Sequence, residues 1–175
     1  MASIEVEVQK KEIVIVWLKR DLRFTDHEPL FYAQKQALPI LLVYCFEPTI
    51  MKYDDSDVRH WRFVYQSLTD MQIKLESLDS KIAIFHNEAL FVLSEIANHY
   101  AIKTLFSHQE IGNKLTYDRD IIIHDFCKNN QIEWKEYQHN GIVRKLKSRK
   151  IWDSLWKEKM EAKPALIDDV NCNFL

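Results

Sequence analysis

Lys19-Arg20-Asp21-Leu22-Arg23 packs four charges into five positions, directly after an apolar run from Ile13 to Leu18. Such residues either pair with one another at a surface, where exposed ion pairs contribute ~0–1 kcal/mol, or meet a polar ligand. Their place bears on the choice, because ligands of open α/β sheets lie beyond the carboxyl ends of strands. Residue chemistry alone leaves both readings open. A second cluster, Val143 to Lys150, places five basic residues in seven positions from Arg144. It reads as a solvated basic segment or as a phosphate contact. A net charge of −2 supplies no basic domain around it, so DNA is not an expected partner of this chain alone. Catalytic constellations are missing. Histidines 27, 60, 86, 99, 108, 124 and 139 lack metalloprotease spacing, and no serine sits in a G-x-S-x-G elbow. The two glycines form neither a dinucleotide fingerprint nor a P-loop. Cys45, Cys127 and Cys172 are an odd set without metal-like spacing and read as reduced thiols.

The elements that must position these residues alternate. Ile13–Leu18 and Ile40–Phe46 are apolar runs rich in β-branched and aliphatic residues, as in strands buried on both faces. Lys81–His86, Thr104–His108 and Ile132–Tyr137 complete five expected strands. Between them, helices are expected over about 26–36, from 58, over 88–100 and over 115–129. Thr25-x-x-Glu28 reads as a capping box for the first, and Asp55, Ser56 or Asp57 as the cap of the second. In that second helix Trp61, Val64, Tyr65, Leu68, Met71, Leu75 and Leu78 make one apolar stripe, which reads as a core face. The helix over 88–100 turns Leu90, Leu93, Ile96, Ala97 and Tyr100 inward. Ile4, Val6 and Val8 alternate as an edge strand or a frayed end, and Trp152, Leu155, Trp156 and Met160 mark a last amphipathic helix. Strands alternating with helices predict an α/β fold, a five-stranded parallel sheet with helices on both faces. The chain has 175 residues, 47% hydrophobic and 29% charged, as expected of one soluble globular domain. With no signal core and no apolar run of membrane length, a cytoplasmic location is expected.

Three segments carry a family resemblance. VWLKRDLRFTDHEPL closely resembles the opening of the photolyase/cryptochrome family, light-driven flavoproteins that include DNA-repair enzymes and photoreceptors. SHQEIGNKLTYDRD, from Ser107 to Asp120, resembles a second signature of that family. NGIVRKLKSR followed by Trp152 resembles a segment found in a branch of bacterial and plant photolyase-like proteins. Together they cover most of residues 13–163 and imply the family's Rossmann-like N-terminal domain, which holds a light-harvesting antenna chromophore. In the full-length family, the energy passes to a catalytic FAD in a helical domain that lies outside the resemblance.

The resemblance implies a set of binding residues. Lys19, Arg20 and Asp21 lie near the cleft between the α/β and helical domains, with Asp21 and Arg23 serving interdomain pairing. Cys45, Phe46 and Glu47 line the antenna pocket, where Phe46 can stack on a planar ring; from spacing alone they read as ordinary strand termination. Glu110 and Asn113 contact the polar edge of the chromophore, since a carboxylate accepts from ring N–H groups and an amide both donates and accepts. His108 stands where relatives carry a carboxylate, which leaves the pigment open among methenyl-tetrahydrofolate, FMN and a deazaflavin. Gly112 permits close backbone approach or a positive φ. Tyr117, Arg119 and Asp120 are assigned to structural hydrogen bonds at a helix start.

The expected organisation is an N-terminal arm over 1–11, the α/β domain over 12–163, and the start of a linker to an FAD domain over 164–175. The expected function is antenna binding in a DNA photolyase-related protein, without catalysis by this part alone. A cryptochrome-type photoreceptor fragment is the nearest alternative. A universal-stress or electron-transfer-flavoprotein-like nucleotide-binding module is the alternative from another class, although the late glycine-rich phosphate loop common in stress-type modules is missing. Expected partners are a helical FAD-binding domain and, through the face that would meet it, a second copy in a weak homodimer.

Overall fold

The computed structural model describes residues 9–144, 146–167 and 172–175. The alternation at Ile4, Val6 and Val8 lies outside them. Five strands, β1 (Glu12–Leu18), β2 (Ile40–Cys45), β3 (Ile82–Phe85), β4 (Ala101–His108) and β5 (Glu133–Tyr137), form one parallel sheet in the order β3-β2-β1-β4-β5. The helices are α1 (Glu28–Ala33), α2 (Pro48–Met51), α3 (Val58–Glu76), α4 (Ala89–His99), α5 (Lys114–Asn129) and α6 (Trp152–Glu161). None of the described helices is long and apolar enough to cross a membrane.

β1 is central because both of its faces are apolar. Ile13, Ile15 and Trp17 pack with Val92, Leu93 and Ile96 of α4 and Ile123 and Cys127 of α5. Val14, Val16 and Leu18 pack oppositely with Leu30 and Ala33 of α1 and Leu68, Met71 and Leu75 of α3. Each fully buried aliphatic side chain contributes ~1.5–3 kcal/mol relative to exposure. Register runs Val14 to Ile40 and Leu18 to Tyr44 on one side, and Val16 to Phe106 on the other. The order reverses at β1: the chain builds outward to β2 and β3, then returns to place β4 on the opposite edge of β1. The loops after β1 and β4 therefore diverge and leave a crevice between them, the switch point where open α/β sheets bind ligands.

Local details differ from expectation for physical reasons. The helix expected over 26–36 is α1 followed by a 3-10 turn, Gln34–Gln36, that ends at Ala37 with φ 52°. Its N-cap is His27 rather than Thr25, because the imidazole Nδ1 reaches the Leu30 amide at 3.1 Å. Asp57 caps α3. Tyr65 is 67% exposed, since only the second half of α3 lies on the sheet, while its first half walls the crevice. In α4, Ala89, Val92, Leu93 and Ile96 make the i, i+3, i+4, i+7 stripe that faces the sheet, with Ala97 and Tyr100 packed at its margin, and Leu90, one position off that stripe, is exposed. α2 was not expected. Pro48, at its first position, lacks the amide that a helix start leaves unpaired. Near the C-terminus, Ile40 donates to Asn173 O at 2.8 Å and accepts from Leu175 at 2.9 Å, so Phe174 lies beside the start of β2 where β3 does not reach.

Candidate functional site

A cleft of about 900 Å³ opens at the carboxyl end of the sheet. Its floor is Trp17, Leu18, Tyr44 and Cys45; Lys19 and Arg20 line one side, Glu47, Glu110, Asn113 and Arg119 another, and Arg59, His60, Trp61, Phe63 and Val64 of α3 a third. The fold thus brings Lys19, Arg20, Cys45, Glu47, Glu110 and Asn113 to one cleft. Asp21 and His108 lie behind it, and the Phe46 ring turns away to pack on Tyr44 at 5.0 Å and Trp61 at 6.1 Å.

Arg119 is the hub of the polar wall. Its Nη1 donates to Glu47 Oε1 at 2.6 Å, and its Nη2 donates to Glu110 Oε2 at 3.0 Å and to Asp120 Oδ1 at 2.9 Å. Its guanidinium carbon also lies 4.7 Å from the Trp17 ring centroid, and the Lys19 ammonium 4.3 Å from it, so cations already attend this indole. Lys19 donates to Asp120 Oδ2 at 2.9 Å. Burial draws the Lys19 ammonium below its ordinary range, with Asp120 opposing. Burial also pulls Arg119 down, but Glu47, Asp120 and Glu110 together hold it above its ordinary value. For Glu47 burial wins over Arg119 and raises the carboxyl; for Glu110, burial is outweighed by Arg20, Arg119 and the Gly112 amide, and the carboxyl is held low. Burial pushes the Cys45 thiol up to about 12, so it is a neutral wall residue at physiological pH.

Glu110 is nearly saturated. Oε1 accepts from Arg20 Nε at 3.2 Å and from the Ile111 and Gly112 amides at 3.0 and 2.7 Å. Each carboxylate oxygen offers about two lone-pair sites; Oε2 accepts only from Arg119 among the described groups, so one site remains there. Arg20, with its side chain 56% exposed, is the partner most easily exchanged for a ligand. Asn113 Oδ1 caps α5 through the Thr116 amide, and its Nδ2 reaches Asp55 at 3.2 Å. Gly112 has no positive φ; it serves close approach, since a Cβ there would lie 2.5 Å from Arg20 Nη2.

Behind the cleft, Asp21, His27 and His108 are all buried, and their donor atoms lie within 4.8 Å of one another. Two histidines and a carboxylate invite a metal, but the hydrogen bonds argue otherwise. The Leu30 amide donates to His27 Nδ1, which must therefore be bare, so the proton of the neutral ring sits on Nε2. A protonated Nε2 cannot ligate. It lies 2.8 Å from Asp21 Oδ2, obliquely, and makes no good hydrogen bond to any described group. His108 Nδ1 meets the same oxygen, and Asp21 Oδ1 accepts from the Lys19 amide at 2.7 Å.

The apolar stripe accounts for Trp61 as core and the helix start for Arg119, yet both line the cleft, and His60 lines it beside Trp61. A signal existed for Arg119: Thr116, Asp120, Ile123 and Cys127 form the buried stripe of α5, so the charges at 119–120 fall on its inner side. Arg144 opens the basic run of Val143 to Lys150. It is tied into the fold, with Nε donating to Glu110 O at 2.8 Å and Nη1 to Glu136 at 3.1 Å.

The family model described as DNA photolyase matches residues 14–150. The chain belongs to the DNA photolyase family. The cryptochrome DASH of Synechocystis sp. is 30% identical over 115 residues, which are 62% of this chain and 24% of that protein. Among solved structures, the Synechocystis sp. cryptochrome superposes with a TM-score of 0.65 at 27% identity, covering 75% of this chain and 28% of the other. The archaeal photolyase of Sulfolobus tokodaii superposes with a TM-score of 0.68 at 22% identity, covering 87% and 35%. The chain thus spans about a quarter of the length of the curated relatives it matches. The five-stranded parallel sheet is the fold of the N-terminal α/β domain of photolyases.

Proposed function

We propose that the cleft between the β1 and β4 loops binds an antenna chromophore: methenyl-tetrahydrofolate, FMN or a deazaflavin. The observation that carries this is the cleft itself, about 900 Å³ placed at the topological switch point and lined by aromatic residues with a few convergent polar groups. That volume lies within the range of pockets that enclose cofactor-sized ligands. Trp61 and Phe63 offer apolar wall to a planar ring, the open site on Glu110 Oε2 accepts a ring N–H, and Arg20 and Arg59 stand where an anionic tail would leave the cleft. When bound, such a pigment absorbs light and passes the energy to a catalytic flavin. The structure of the Sulfolobus tokodaii photolyase is described as holding two FAD molecules, with the implication of a novel light-harvesting cofactor, which favours a flavin-type ring.

The partner in this reading is a helical FAD-binding domain seated over the cleft, in a light-driven DNA-repair protein or a cryptochrome-type photoreceptor. Phe63 and Tyr65, 69% and 67% exposed beside the cleft, give that partner, or a second copy of this chain, an apolar contact.

Absorbance titration with methenyl-tetrahydrofolate, FMN and a deazaflavin tests the reading. One ligand is expected to give a saturable spectral shift that weakens at least tenfold in Glu110→Gln, a loss of about 1.4 kcal/mol. A saturable response to ATP or AMP, with none to the three pigments, would instead mark a nucleotide-binding module.

A further inference from the structure

We propose that the buried His27–Asp21–His108 cluster positions the cleft wall and couples the ligand affinity of the cleft to pH, with His108 as the responding group. The proposal rests on the cleft being a ligand site. Three separate stretches converge on one carboxylate: the loop after β1 brings Asp21, the start of α1 brings His27, and the last residue of β4 is His108. Through Oδ1, Asp21 also fixes the Lys19 amide at 2.7 Å. Lys19 holds Asp120, and the next residue, Arg20, holds Glu110. The cluster therefore sets, from behind, the side chains that line the cleft.

Only one ring nitrogen is free to respond. His27 Nδ1 is occupied by the Leu30 amide, and its Nε2 carries the proton. Burial disfavours the Asp21 charge, but the His108 ring bonded to it and the His27 ring 2.8 Å away outweigh that, and the carboxyl is held far below its ordinary range. It therefore accepts from His108 Nδ1–H, which leaves Nε2 of His108 as the atom with a lone pair. The surroundings resist a charge there. The His27 and His139 rings each lie 4.8 Å from the His108 ring, and the Arg23 guanidinium contacts His139 at 2.9 Å. Lys19, Arg20 and Glu110 border the void of about 10 Å³ beside it, and Asp21 alone faces it at hydrogen-bond distance with a negative charge. Burial and the Arg23 charge lower the His108 imidazole against the pull of Asp21.

When acid protonates His108, a buried imidazolium faces the His27 and His139 rings and the Arg23 charge beyond His139. The Lys19–Arg23 loop loosens, Lys19 and Arg20 lose their fixed positions, and the ligand is released. His108→Asn is the informative variant, because its amide N–H can replace Nδ1–H toward Asp21 and does not titrate. His108→Gln supplies the same amide on a longer arm that fills more of the site.

The test follows FMN dissociation by flavin fluorescence from about pH 7.5 to 5.5, with exchange of the Lys19 and Leu30 amides measured over the same series. The phosphate of FMN titrates in this range too, so the histidine variants in identical buffers give the baseline. Below the His108 midpoint, Kd of the unaltered chain is expected to rise by up to about tenfold per pH unit, the limit for one linked proton. Amide protection at Lys19 and Leu30 is expected to fall in parallel, and both trends to flatten in His108→Asn or His108→Gln. A pH slope identical in chain and variants, or amide protection indifferent to pH, overturns the proposal. Loss of amide protection in acid without FMN binding at any pH supports the proton response of the cluster and removes the cleft assignment instead.

Discussion

Arg119 of α5 donates to Glu47, at the end of β2, across 2.6 Å, and the same guanidinium reaches Glu110 beyond the end of β4. One cation thus ties together the loops after β2 and β4, with both carboxylates buried. Arg119→Met would strip buried Glu47 of its main counter-charge and buried Glu110 of one of its two. Breaking a buried ion pair from one side costs about 3–5 kcal/mol, so a drop of that order is expected in denaturant unfolding. Glu47→Gln should cost less, because its amide oxygen still accepts from Arg119 and burial already opposes its charge. Equal losses in the two variants would contradict the role of Arg119 as hub.

Stability should fall in acid in two stages. Burial, first, holds His108 and His139 below their ordinary values in the folded chain. For a base shifted down, the folded state binds fewer protons than the unfolded one, so its contribution is present above the unfolded pKa, about 6.5, and lost as pH falls through the folded value. Asp21 and Glu110 are held low despite burial, by His108 and His27 for the one and by Arg20 and Arg119 for the other. Their contribution is present above about 4 and lost below it. Glu47, raised by burial, acts oppositely and softens the second stage. Melting temperatures in steps from about pH 7.5 to 4 should show a decline that starts near 6.5; a flat curve down to 5 would contradict the histidine stage.

The sheet was legible because its strands β1 and β2 are apolar runs ended by charge or proline, and that pattern depends on local burial alone. The cleft was legible only in part. Lys19, Arg20, Glu110 and Asn113 sit in sequence signatures, whereas Trp61 lines the cleft because α3 outruns the sheet, a matter of relative length that periodicity cannot report. Asp21 and His108 carried the right chemistry for a ligand contact, yet they face each other inside the fold. Which way such a side chain turns depends on the third partner, His27, and it comes from an element with a different cap than its sequence advertises.

Ala37 adopts φ 52° at the end of the turn after α1, and its side chain is exposed. A left-handed conformation costs an L-residue roughly 1–2 kcal/mol, and glycine escapes that cost while losing some chain entropy. Ala37→Gly should therefore stabilise the domain by about 0.5–1 kcal/mol. Asp26 and Asp79, also at positive φ, should gain less, because aspartate tolerates this region better. A destabilised Ala37→Gly chain in urea unfolding would count against the turn geometry.

Gly141 and Gly112 lack room for a side chain for different reasons, and their alanine variants should behave differently. A Cβ at Gly141 would lie 2.1 Å from Trp156 Cδ1 and 2.6 Å from Nε1, inside an indole. Trp156 cannot yield without moving α6, which the Trp152 Nε1 bond to Gly141 O at 3.2 Å and the Lys159 pair with Glu28 hold against the domain. At Gly112 a Cβ would meet the half-exposed Arg20 Nη2 at 2.5 Å and the buried Glu110 Oε1 and Thr116 Oγ1 at 2.8 Å, all in the cleft wall and none in α6. Gly141→Ala is therefore expected to shift tryptophan emission to longer wavelength and free α6 for proteolysis, while the sheet stays folded. Gly112→Ala should leave α6 intact and displace Arg20 from Glu110, which changes pigment affinity at the cleft. Identical emission and protease patterns for the two variants would mean that Gly141 does not anchor α6.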